Sequence, residues 1–167
     1  MVSGITPALW IPEVKRRTKM IKPMVNKVIF NPDGTVKQFG DDCGYDYYDD
    51  ELLPTHHLRS GFLYKKEITD SGIREEKGVR HFREDSFFSF RCMLAGYTMV
   101  VDTGAKQYHF LSNTGGCRTP EEREHNRIDN ESFFNFMQES YLKNPNFLNE
   151  YDSKCFKLQE QLFRKSD

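Results

Sequence analysis

No stretch of this chain approaches the roughly 18 consecutive apolar residues that a bilayer-spanning helix needs, and the first residues lack the charged-then-apolar layout of a secretory leader. A soluble, cytoplasmic chain with no membrane span is expected. A surplus of charge is missing too: the formal net charge is -1, so no overall field draws the protein to nucleic acid or to an anionic membrane. Nucleic acid is therefore not an expected partner. The four cysteines, Cys43, Cys92, Cys117 and Cys155, include no C-x-x-C pair, which argues against a zinc ribbon and against a dense disulfide framework. Free thiols in a reducing compartment are expected. Internal repeats and low-complexity tracts are also lacking.

What is present suffices for one domain. The 167 residues are 37% hydrophobic and 14% aromatic, enough for a real core and too little chain for two. A basic run at 15–22 (KRRTKMIK) and an acidic run at 41–51 (DDCGYDYYDDE) read as solvated loops. Between them, VNKVIF (25–30) and TVKQF (35–39) flank Asn31-Pro32-Asp33-Gly34, the pattern of a β-hairpin. His56 and His57 are adjacent, and on an extended segment neighbours point to opposite faces, which makes joint metal ligation awkward. Residues 57–68 mix aromatic and β-branched side chains around Gly61 and read as a strand, with Phe62 and Tyr64 or else Leu63 facing the core. A helix is expected over 84–95, with Phe87, Phe90 and Leu94 on one face, Phe88, Cys92 and Ala95 beside them, and Gly96 as its stop. Two short strands, 97–102 and 106–111, follow around Thr103-Gly104-Ala105. Helices over roughly 131–143 and 152–164 complete a mixed α/β pattern.

The segment 83–118, REDSFFSFRCMLAGYTMVVDTGAKQYHFLSNTGGCR, holds the chemistry. Glu84 and Asp85 sit at a helix start, and His109 sits at a strand end ahead of Gly115 and Gly116. The plain structural reading is two favourable acids in a first helical turn, a hydrogen-bonded histidine at a sheet end and an ordinary turn. The functional reading is that their polar tips share one hollow.

REDSFFSFRCMLAGYTMVVDTGAKQYHF resembles the second half of a family 2 glycosyltransferase of the GT-A fold, in which an acidic pair opens a helix, a Gly-aromatic pair follows and a strand ends in histidine. VSGITPALW (2–10) resembles the stretch just after the family's metal-binding aspartate motif, and LRSGFLYKKEI (58–68) the strand and turn flooring its acceptor site. The likeness spans roughly residues 2–118 and implies a mixed sheet with flanking helices. The family's N-terminal nucleotide-binding half, which ends in an Asp-x-Asp motif, has no counterpart here. The resemblance therefore implies the acceptor-side half of such an enzyme, whether fragment, split gene product or remnant, with a separate chain or a second copy as a possible partner.

By that resemblance Asp85 is the catalytic base, Glu84 orients the acceptor, and His109 is one ligand of a divalent metal, manganese or magnesium. Arg59, Gly61, Gly115, Gly116 and Arg118 are the candidate substrate-binding residues. The substrates implied are a nucleotide-sugar donor and a glycan or other hydroxyl acceptor. The chemistry agrees: inverting transfer to a hydroxyl needs a base within hydrogen-bond reach of it, a departing diphosphate needs a hard cation, and an arginine can meet a phosphate bidentately. Two other readings stand beside it. One is a non-catalytic interaction module; the other is a nuclease using Glu84, Asp85 and Asp102, for which only Lys106 and the basic run at 15–22 supply cations.

Overall fold

The computed structural model describes residues 2–7, 25–41, 52–58, 62–74, 76, 79, 83–107 and 119–163. In chain order the elements are β1 (Val2–Pro7), β2 (Asn26–Phe30), β3 (Val36–Asp41), β4 (Leu52–Pro54), β5 (Phe62–Leu63), α1 (Lys66–Asp70), α2 (Glu84–Leu94), β6 (Met99–Gln107), α3 (Pro120–Lys143) and α4 (Phe147–Phe163). Four strands form one sheet in the order β4-β6-β1-β5, and β2 and β3 form a separate antiparallel pair. β1 runs parallel to β6, while β4 and β5 are antiparallel to their neighbours. The class is mixed α/β, with small sheets and flanking helices.

The hairpin forms where its turn chemistry directs it. Gly34 takes φ +80°, a left-handed conformation open to glycine at little cost, and its N–H donates to the Asn31 carbonyl at 2.9 Å. The Asp33 carboxylate accepts from the Thr35 N–H and hydroxyl, which hold its pKa below the usual value.

Five elements differ from the sequence reading. Among the described residues, the expected strand over 57–68 pairs at Phe62 and Leu63, opposite Gly4 and Ser3. It then gives way to α1, where Lys66 and Asp70 lie one turn apart and pair at 2.8 Å, a helical contact that the aromatic content upstream concealed. The two strands expected around 103–105 are one strand, because β1 pairs with both sides of that segment. Ile5 faces Asp102 and Thr6 faces Lys106, so the register jump absorbs the three residues between.

In α2, Phe87, Phe88, Phe90, Cys92 and Met93 are buried, whereas Leu94 and Ala95 are exposed. The buried arc is turned toward Ser86 and Ser89, which are themselves buried because their hydroxyls bond to His57 and Leu58. A count of apolar residues alone does not register that pull. Finally, α3 starts at Pro120 rather than near 131. Its first turns carry no apolar stripe and are held by a reciprocal Thr119–Glu122 capping box and by Arg127 lying between Glu124 and Glu131. α4 likewise starts five residues ahead of 152, at Phe147.

Phenylalanine dominates the core. Phe133 of α3 packs edge-on to Phe87, Phe90 and Phe39, and Phe30 stacks on Tyr141 at 4.6 Å between ring centroids. Each such ring, fully buried, contributes roughly 1.5–3 kcal/mol. The segment 55–57 ties the two sheets together: the Thr55 N–H donates to Met99 on β6, and the His56 N–H donates to Asn26 on β2. This bridge sets both histidines beside α2 and α4.

Candidate active site

The acidic pair opens α2 from a strained turn. Arg83, the residue that caps the helix, has φ 71°, a left-handed conformation costing a non-glycine residue on the order of 1–2 kcal/mol. Its side chain shows what holds it there. The guanidinium donates to Asn130 Oδ1 at 2.7 Å and lies over Phe39 at 4.8 Å, with Phe133 and Phe134 each at 5.8 Å. The direction in which Glu84 and Asp85 leave the helix is thereby fixed by packing.

Behind Asp85 stands a polar chain. Ser86 Oγ lies 3.2 Å from Asp85 Oδ1 and 3.0 Å from His57 Nε2. The hydroxyl carries one proton, so a protonated Nε2 makes the order His57 to Ser86 to Asp85, each donating to the next. Ser86 and His57 are buried, and Asp85 is half-buried. The His57 ring is further packed against Phe39 at 4.9 Å. Such a row fixes a carboxylate's orientation.

Glu84 differs. It is half-buried, and its Oε2 is buried with no hydrogen-bond partner among the described residues. A buried carboxylate oxygen without a donor is costly, and an incoming hydroxyl would supply that donor.

The two histidines do face apart, as adjacency on extended backbone requires. His56 Nδ1 accepts the Val28 N–H at 3.0 Å, which leaves the ring proton on Nε2 to be donated to Asp152 at 2.8 Å on α4. Burial raises the Asp152 carboxyl, but the hydrogen bond from His56 and the nearby Lys27 ammonium more than offset it, and the net shift is downward. Next to it Tyr151 donates to the Thr55 carbonyl at 2.6 Å and accepts from the Met99 N–H at 2.9 Å. This second network ties α4 to the sheets.

The sequence reading named Glu84 and Asp85, which share the first turn of α2. Arg59, Gly61, His109, Gly115, Gly116 and Arg118 lie outside the described residues. Ser86, His57 and Asp152 were missed. The available signal was a serine inside a run of phenylalanines, a residue that a purely apolar face has no use for.

Matched against protein-family models, curated proteins and solved structures, the chain finds no counterpart. Its chemistry rests on its own residues. Among the described residues no three His, Cys, Asp or Glu side chains gather to hold a metal ion, so Glu84, Asp85 and Asp102 do not make the carboxylate cluster that a nuclease would use. His109, which the resemblance would give to a divalent cation, lies outside the described residues. Among the described residues no helix is long and apolar enough to cross a membrane.

Proposed function

We propose that this chain carries the acceptor side of a glycosyltransferase of the GT-A type, resembling family 2, which moves a sugar from a nucleotide-sugar donor to a hydroxyl with inversion. The observation that supports it is the arrangement of the acidic pair: Asp85 backed by Ser86 and His57, beside Glu84 with an open buried oxygen. In this reading Glu84 accepts a hydrogen bond from one acceptor hydroxyl and thereby sets the sugar ring. Asp85 takes the proton of the attacking hydroxyl as its oxygen bonds to the anomeric carbon and the bond to the diphosphate breaks. Ser86 and His57 act through Asp85, as positioning residues. A divalent cation, manganese or magnesium, would meet the departing diphosphate near His109.

The test is release of nucleoside diphosphate from nucleotide sugars, with manganese and a panel of glycan acceptors. Asp85→Asn is expected to lower transfer by about 10²–10⁴-fold. Ser86→Ala should lower the catalytic rate less and leave acceptor affinity unchanged. Equal rates for the Asp85→Asn variant and the parent chain would sink the assignment. If the donor half sits on another chain, acceptor binding alone remains, and amide NMR should then show glycan-induced shifts at Glu84, Asp85 and Ser86. A non-catalytic interaction module gains from Leu63 and Tyr64, exposed beside the short edge strand β5. It predicts binding of a protein chain with no shift at the acidic pair.

A further inference from the structure

A hollow lies at the far end of α2, about 15 Å from Glu84 at 1.5 Å of rise per residue along the 11-residue helix. The ends of α2 and α3 and the first turns of α4 line a cavity of ≈ 270 Å³ there. Its apolar lining is Met93, Leu94 and Phe147, and its charged lining is Lys143, Lys154 and Glu150. Lys154 Nζ lies directly over Gly96, so close that a β-carbon there would sit 2.8 Å from it. None of the three charged groups makes an ion pair with another described residue, although Glu150 and Lys154 are one helical turn apart.

Both ammonium groups instead stand at the ends of helices whose last carbonyls are electron-rich: Lys143 in the last turn of α3, Lys154 just past α2. Helix ends attract such cations without neutralising them as a carboxylate would. Two cations against one carboxylate leave the mouth positive above an apolar floor. We infer that this hollow binds a small amphipathic anion, an aryl or alkyl acid whose apolar body rests on Met93, Leu94 and Phe147 and whose carboxylate or phosphate lies between Lys143 and Lys154. The inference does not depend on glycosyl transfer, and neither Glu84 nor Asp85 takes part.

Amide NMR titration of the full chain tests it, with hydrocinnamate and phenyl phosphate as the two acid heads and hydrocinnamyl alcohol as the neutral control. The acids should shift Gly96, Asn144 and Phe147 and bind more tightly than the alcohol. Lys143→Gln and Lys154→Gln should each weaken acid binding about two- to fivefold and leave the alcohol unaffected, and Glu150→Gln should tighten the acid. Raising the salt concentration should weaken the acids only. The stronger of the two acids identifies the head group as carboxylate or phosphate. Equal affinity for acids and alcohol, shifts confined to other regions, unchanged acid binding in the doubly substituted Lys143→Gln/Lys154→Gln chain, or no binding of either acid would overturn the inference. All three charged residues are exposed, so the substitutions leave the core intact.

Discussion

His56 and Asp152 stand 96 residues apart in sequence and meet at 2.8 Å, joining the bridge between the two sheets to the C-terminal helix. The contact carries a pH dependence. Asp152 has a folded-state pKa below its ordinary 3.8, so the folded form binds fewer protons than the unfolded one. The stabilisation is present above about pH 4 and is lost as pH falls through the lower, folded value. Asp152→Asn should therefore lower the melting temperature slightly near neutrality, and the two curves should converge in acid, where the parent carboxylate is protonated. The carboxylate is 49% exposed, which limits the effect to under about 1 kcal/mol.

Thr55 and Tyr151 offer a sharper test of the same junction. Thr55 Oγ1 accepts the Asn26 N–H and donates to the His57 carbonyl, both at 2.9 Å, with the residue fully buried. Thr55→Val keeps the shape but takes the hydroxyl acceptor from the buried Asn26 N–H, while the His57 carbonyl still accepts from Asn26 Nδ2 at 2.9 Å, so urea unfolding should show a loss of about 1–3 kcal/mol. Tyr151→Phe should cost a similar amount, through the Thr55 carbonyl and the Met99 amide. Burial also holds the Tyr151 hydroxyl well above its normal pKa, so its ultraviolet ionisation signal should appear only as the alkaline chain unfolds.

Gly34 constrains the hairpin tip from two directions. A β-carbon there would lie 3.2 Å from Leu142 Cγ and from Tyr141 Cδ1, and φ is +80°. Gly34→Ala should destabilise the chain by about 1–2 kcal/mol or more, again read by urea titration. Gly72 is a control: its φ is +92° but nothing lies within 4 Å, so Gly72→Ala should show the conformational cost alone.

The thiols should be slow. Burial pushes Cys92 up to about 12 and raises Cys155 as well, which removes the thiolate that alkylating reagents attack. Mass spectrometry after iodoacetamide at pH 8 should find both unmodified until denaturant is added. Rapid labelling of Cys92 in the native protein would contradict this packing.

Local chemistry was the legible part of the fold. Asn31-Pro32-Asp33-Gly34 announces its turn, and Glu84 followed by phenylalanines up to Gly96 announces α2, because both signals lie within a few residues of the structure they produce. The polar first half of α3 was invisible to periodicity, since it is held by its cap and by Arg127 rather than by a buried stripe. At the candidate site the acids could be read from their place at a helix start. His57 could not, because its pairing with Ser86 spans 29 residues and depends on the Thr55–His57 bridge, which no local pattern encodes.

The bridge at residues 55–57 also bears on the order of assembly. It joins strands from both sheets to a helix that follows nearly a hundred residues later, so the hairpin can form locally but its seating against α4 comes last. Phe87 and Phe90 of α2 meanwhile pack on Phe133 and Phe136, so until α3 is made the nascent chain should depend on holding factors that cover those rings.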